Sequence, residues 1–165
     1  MESGKWKKVQ LKQIARLSVK SICPSDTPET SFTLYSLPSF DANKVPEVLF
    51  GNQIESNKTA ISGNVILFNK LNVRKRRVWN LKEIDPAICS SEFLPLTDFK
   101  ANQDFLYWLL ISDRYTQYFV DCSSGTSNSQ KRIQPNDLLR CTIYLPPLPE
   151  QQKIADEKYD FGLSS

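Results

Sequence analysis

Gly63-Asn64-Val65-Ile66-Leu67-Phe68-Asn69-Lys70-Leu71-Asn72-Val73-Arg74-Lys75-Arg76-Arg77-Val78-Trp79 is the stretch that decides how this chain folds. The run Val65-Ile66-Leu67-Phe68 is apolar without alternation, as in a strand buried on both faces. Val78-Trp79 begins an antiparallel partner, and residues 70–77 connect the two. That connection carries Lys70, Arg74, Lys75, Arg76 and Arg77. A basic turn on a rigid hairpin suits phosphate neutralisation, and Arg also grips guanine through two hydrogen bonds. A solvated hairpin tip is the plainer alternative.

Working outward, Trp6-Lys7-Lys8-Val9-Gln10-Leu11 alternates as a half-buried strand does. Ile14-Ala15-Arg16-Leu17 suggests a short helical turn, and residues 20–31 a loop. Phe32-Thr33-Leu34-Tyr35-Ser36-Leu37 reads as a strand ended by Pro38. Residues 41–57 show little periodicity, while Ala87-Ile88-Cys89 and Phe93-Leu94-Pro95-Leu96 give further short strands. One helix is expected from about Asn102 to about Val120. Asn102 caps it, Asp104 sits near its positive end, and Phe105, Trp108, Leu109, Tyr115 and Phe119 form a buried face. It stops before Ser123-Ser124-Gly125. Strand character returns over residues 138–145, and Pro146-Pro147 breaks the chain. Pro149 then opens a last helix that runs to about Asp160. With only Ile154, Ala155 and Tyr159 as apolar residues, that helix gains little from its own domain, so it projects or takes a partner.

Length and composition fit one domain with a helical appendage: 165 residues, 40% hydrophobic, 11% aromatic, net charge +3. The mild charge means that clustering, not totals, carries any nucleic-acid argument. No stretch has the apolar length of a membrane span, and the charged start is no signal core. The four cysteines, Cys23, Cys89, Cys122 and Cys141, are scattered and the chain has no His. Neither a zinc site nor a disulfide scaffold follows, and free thiols in a reducing cytoplasm are expected.

A second polar segment follows the long helix: Ser123, Ser124, Gly125, Thr126, Ser127, Asn128, Ser129, Gln130, Lys131 and Arg132. Hydroxyl and amide groups contact phosphates and base edges, and Gln pairs in bidentate fashion with adenine. The plain alternative is a flexible linker. Lys5, Lys7, Lys8, Lys12, Arg16 and Lys20 make the first segment basic too, as the wet face of its elements.

Several stretches carry a resemblance when taken in chain order. They are Trp6 to Leu11 with Ile14-Ala15, Leu37-Pro38-Ser39-Phe40-Asp41-Ala42, Ile54-Glu55-Ser56-Asn57-Lys58 and Gly63 to Leu71. Arg77-Val78-Trp79, Ser90-Ser91-Glu92-Phe93, Asp104 to Leu110, Gly125-Thr126-Ser127 and Gln130-Lys131-Arg132-Ile133 follow. Leu145-Pro146-Pro147-Leu148-Pro149-Glu150-Gln151-Gln152-Lys153-Ile154-Ala155 is the most specific. Together they resemble the specificity subunits of type I restriction-modification systems.

The resemblance implies an α+β target-recognition domain over residues 1–147, with a mixed or antiparallel curled sheet and one buried helix. Residues 148–165 would be the start of a projecting conserved-region helix, cut short, with a tail. It implies sequence-specific reading of double-stranded DNA, each of two tandem units reading half of a split target. The implied DNA contacts are Lys70, Arg74, Lys75, Arg76, Arg77, Ser123, Thr126, Ser127, Asn128, Gln130, Lys131 and Arg132. Pro149, Gln151, Gln152, Ile154 and Ala155 would bind the methyltransferase (modification) subunits, alongside a restriction subunit. A second specificity half, or a homodimer, would complete the assembly. No catalytic residue, metal or cofactor is expected on this chain; S-adenosylmethionine, ATP and magnesium would sit on the partners. Only one unit is present here, as in a half-subunit or a trimmed gene.

The rival classes are a DNA-modifying enzyme and a protein- or RNA-binding α+β module. Absence of His removes the commonest general base, and no Walker-type loop is present. Leu145-Pro146-Pro147-Leu148 lacks the flanking residues of an amino-methyltransferase. Asp156-Glu157-Lys158 has a nuclease-like spacing but no companion acid on a neighbouring strand. An RNA- or protein-binding module would show no salt-steep affinity for duplex DNA.

Overall fold

The structure is a computed structural model that describes residues 5–160; residues 161–165 of the expected tail lie outside the described residues, as do the side chains of Asn128, Tyr159 and Asp160. The chain forms two compact units. One gathers residues 1–16, 72–76 and 98–165, and the other residues 17–71 and 77–97.

The second unit is a curled mixed sheet. β2 (Arg16–Leu17), β8 (Phe93–Thr97), β6 (Lys58–Asn69), β7 (Val78–Cys89), β4 (Ser31–Tyr35) and β5 (Glu47–Phe50) lie side by side in that order, and β3 (Ser21–Ile22) also pairs with β6. β6 and β7 are antiparallel, with Phe68 opposite Val78 and Leu67 opposite Trp79, the pairing expected from the sequence. β4 runs parallel to β7. The partners Ile61–Ala87, Gly63–Ile84 and Val65–Leu81 show two register shifts, each leaving one extra residue on β7. Gly63 (φ 73°) and Glu83 (φ 52°) adopt left-handed backbone there, and the Glu83 amide donates to Asn64 Oδ1 at 2.9 Å. Bulges of this kind bend and twist a ribbon, which accounts for the curl.

Val65, Ile66, Leu67 and Phe68 are all buried, so the unbroken apolar run does fill a strand covered on both faces. Val65 and Leu67 join Tyr35, Trp79, Cys89 and Phe93 in one core, closed by Leu37 and Phe40. Those last two come from α1 (Leu37–Ala42), which begins where the strand expected over residues 32–37 ends. Ser36 caps it, its Oγ accepting from the Ser39 amide at 3.1 Å, and Pro38 falls in the first turn, where its missing N–H costs nothing.

The first unit holds β1 (Lys7–Gln10) paired antiparallel with β9 (Thr142–Leu145), and four helices: α2 (Gln103–Leu110), α3 (Asp113–Cys122), α4 (Pro135–Leu139) and α5 (Leu148–Asp160). Leu106, Leu110, Phe119, Leu138 and Ile143 are wholly buried and make its core. The single helix expected over residues 102–120 is two. Ser112 is extended (ψ 159°); its Oγ donates to the Leu109 carbonyl at 2.6 Å and accepts from the Tyr115 amide, finishing α2 and starting α3. Residues 138–145 likewise split, into the end of α4 and β9, and the turn expected at residues 14–17 gives way to an earlier 3-10 turn at Leu11–Gln13.

α5 does more than project. Gln151 is 2% exposed. Its Oε1 accepts from the Asn102 amide at 2.8 Å and its Nε2 donates to the Pro146 carbonyl at 2.7 Å. Asn102 Nδ2 adds a bond to Gln152 Oε1 at 2.7 Å, and Ala155 is buried. Polar side chains thus supply the packing that the sparse apolar content could not.

Candidate nucleic-acid interface

Charge is divided unevenly along the chain. The first unit carries fifteen Lys and Arg against ten Asp and Glu, a net of +5, whereas the second carries six against eight, a net of −2. The positive excess of the chain thus lies in the first unit, the sign that a polyanion requires.

Residues 72–76 form a compact basic turn in that unit. Val73 is buried and anchors a 3-10 turn, Val73–Lys75, between two left-handed residues, Asn72 (φ 51°) and Arg76 (φ 51°). Such backbone costs a residue with a Cβ roughly 1 kcal/mol. Arg76 is held in it by its own side chain: Nη1 donates to the Ile111 carbonyl at 3.1 Å and Nη2 pairs with Asp113 Oδ1 at 2.7 Å. Arg76 is thus a post that fastens the turn to the start of α3. Arg74 and Lys75 are exposed beside it.

The second polar segment is a closed loop. Ser124 and Arg132 pair as an antiparallel bridge, with reciprocal amide–carbonyl bonds of 3.1 and 3.0 Å. Gly125 makes the closure possible, since a Cβ there would meet the Gln130 carbonyl at 2.9 Å and Lys131 Cα at 3.0 Å. Within the loop Thr126, Ser127, Ser129 and Gln130 are exposed, Ser123, Lys131 and Arg132 half-buried, and the side chain of Asn128 lies outside the described residues. Ile133, 1% exposed, roots the returning segment.

These two segments meet. The Asn72 amide donates to the Lys131 carbonyl at 2.9 Å. The exposed cations Arg74 and Lys75 and the hydroxyl- and amide-bearing loop therefore belong to one surface of one unit. Asn72 was not singled out in the sequence, although an Asn in a turn is a standing signal for left-handed backbone.

Lys70 and Arg77 lie in the other unit. Arg77 is mostly buried, its Nε 3.0 Å from Asp41 Oδ1. The alignment is too poor for a hydrogen bond, so the contact is an ion pair only. Lys70 is half-buried, its amide donating to the Glu92 carbonyl at 2.9 Å. Of the residues expected to bind a partner, Gln151 and Ala155 face their own domain, Ile154 is half-buried, and Pro149 and Gln152 are exposed. Among the described residues no group of three Cys, Asp or Glu could hold a metal ion, and no helix is long and apolar enough to cross a membrane.

The family model described as the type I restriction modification DNA specificity domain matches residues 3–157. The chain belongs to this family. No curated protein matches the sequence. Among solved structures, this specificity domain is similar to the HsdS subunit from Thermoanaerobacter tengcongensis, with 23% identity and a TM-score of 0.78 over 94% of this chain and 41% of that one. It is similar, at 22% identity and TM-score 0.81, to a chain from a structure on complex assembly and conformational transition of the type I R-M system, covering 97% of this chain and 43% of that one. A third, the S subunit from M. genitalium, shares 14% identity and a TM-score of 0.61, over 98% of this chain and 40% of that one. The specificity domain thus has the fold of these subunits and spans about two fifths of their length.

Proposed function

We propose that this specificity domain reads one half of a split target in double-stranded DNA and brings the methyltransferase and restriction subunits of its system to that site. The observation that carries the proposal is the Asn72–Lys131 hydrogen bond, which joins the basic turn to the polar loop in the positively charged unit. Arg74, Lys75 and Lys131 neutralise phosphates and set the register, while Thr126, Ser127 and Gln130 face base edges. Arg76 and Arg132 hold the frame from which these groups extend.

The domain itself performs no bond chemistry. S-adenosylmethionine, ATP and magnesium belong to companion subunits in the cytoplasm, and the exposed side of α5, with Pro149 and Gln152, meets a methyltransferase subunit. A second specificity half, or a second copy of this chain, supplies the other half of the target. One recognition unit alone offers half an interface, so its affinity for DNA is low without those companions.

Co-expression with the cognate methyltransferase subunit, followed by mapping of the modified bases, tests the proposal. Modification confined to one recurring short sequence is expected. Modification without sequence context, or turnover of DNA by the purified chain alone, overturns it.

A further inference from the structure

A cavity of about 210 Å³ opens in the first unit between α3 and the segment that joins α4 to β9. Arg114 and Arg140 line it, together with Tyr115, Tyr118 and Tyr144. Two of its tyrosine hydroxyls are turned onto backbone carbonyls. The Tyr115 hydroxyl donates to the Thr142 carbonyl at 2.7 Å, and the Tyr118 hydroxyl to the Asp137 carbonyl at 3.3 Å. The Arg114 guanidinium lies over the Tyr144 ring, 5.5 Å from its centre. Stacking occupies only the face of a guanidinium and leaves its in-plane N–H donors free to fork onto an oxyanion.

Of the neighbouring carboxylates, Asp113 is paired with Arg76, while Asp121 and Asp137 accept from the neutral Gln117 Nε2 and Gln134 amide. Among the described residues no carboxylate pairs with Arg140. Two arginines at a tyrosine-lined cavity, one of them stacked on Tyr144, offer N–H donors to a small tetrahedral anion. Arg114 follows Asp113, the residue to which Arg76 fastens the basic turn, so both lie in the first turn of α3.

We propose that this cavity seats a phosphate of the DNA backbone between Arg114 and Arg140, as a second anchor beside the loop surface. The inference rests on the DNA-reading function above. One anchor at the turn and one at the cavity fix the orientation of the duplex, which a single basic patch leaves free to rotate.

The test uses the full chain, with Arg114→Gln, Arg140→Gln and Arg140→Lys variants, a short mixed-sequence duplex and inorganic phosphate. Side-chain NMR signals of the arginines and anisotropy across a salt series are recorded. The duplex should shift the Nε–H signals of Arg114 and Arg140. Each Gln variant should weaken duplex binding roughly tenfold and lower the log–log salt slope by about one. Arg140→Lys should keep the slope, because it keeps the charge. Wild-type binding that the Gln variants leave untouched, with the melting temperature unchanged, overturns the anchor while the DNA-reading function stands. Shifts with phosphate but none with duplex show a free-phosphate site and overturn it as well. If the wild type binds no duplex at all, the DNA-reading function fails first.

Discussion

The backbone amide of Asn72 donates to the carbonyl of Lys131 across 2.9 Å, and this one bond unites two segments far apart in the sequence. It depends on left-handed backbone at Asn72 and on a loop closed by the Ser124–Arg132 bridge. On the proposed function, the groups that face DNA are the exposed ones on this frame, and the first expectation concerns them. Arg74→Ala with Lys75→Ala should reduce the salt slope of duplex binding by about two. The melting temperature should not change, because both side chains are exposed. Anisotropy at four or five salt concentrations decides it.

Arg76 should behave differently. Its pair with Asp113 is partly exposed, so removing it costs stability modestly. Ala retains the left-handed strain, whereas Gly does not, so Arg76→Gly should be more stable than Arg76→Ala by roughly 1 kcal/mol. Urea denaturation of the two variants measures that difference, and a difference of the opposite sign would show that the backbone at residue 76 is not strained.

Gly125→Ala should open the loop without unfolding the domain. The added Cβ collides with backbone at Gln130 and Lys131, which cannot yield as a side-chain tip would. Faster hydrogen exchange at the Asn72 amide, with the sheet amides of β6 and β7 unaffected, is the expected signature.

Gln151→Ala should cost about 2 kcal/mol by leaving the Asn102 amide and the Pro146 carbonyl unpaired in a buried site. Its loss of stability should appear in the isolated chain, before any partner is added. An unchanged denaturation midpoint would return Gln151 to the partner-facing side of α5.

Alkaline stability should depend on Cys89. Burial raises its thiol from 9.0 to about 12, so the folded state holds the proton more tightly than the unfolded chain. The stabilisation is whole below about pH 9 and lost as pH climbs from there towards 12. Cys89→Ala removes that dependence. Its stability should fall less steeply than that of the wild type across this range when followed by circular dichroism.

Much of the scaffold was legible because its signals are local. The run Val65 to Phe68 and its partner Val78-Trp79 announce a buried hairpin, and Pro149 announces α5. The break at Ser112 was not legible, since a Ser inside an aromatic pattern reads as helix until its hydroxyl is seen serving both α2 and α3. The docking of α5 escaped for a related reason: Gln151 looks like a surface residue, and its burial depends on Asn102, distant in the chain. At the candidate interface the sequence marked a basic cluster but could not rank its members. Arg74 and Arg76 differ only in what lies across from them, and that partner, Asp113, is fixed by tertiary structure. Arg114, lying in a helix, gave no sign at all of the cavity it lines.

The central claim is that this unit chooses DNA by sequence, and selection from a library of randomised duplexes by the purified chain tests it most directly. One short recurring motif should emerge, and the Arg74→Ala, Lys75→Ala double variant should enrich it less. Bound duplexes no different in sequence from the starting library would contradict the claim.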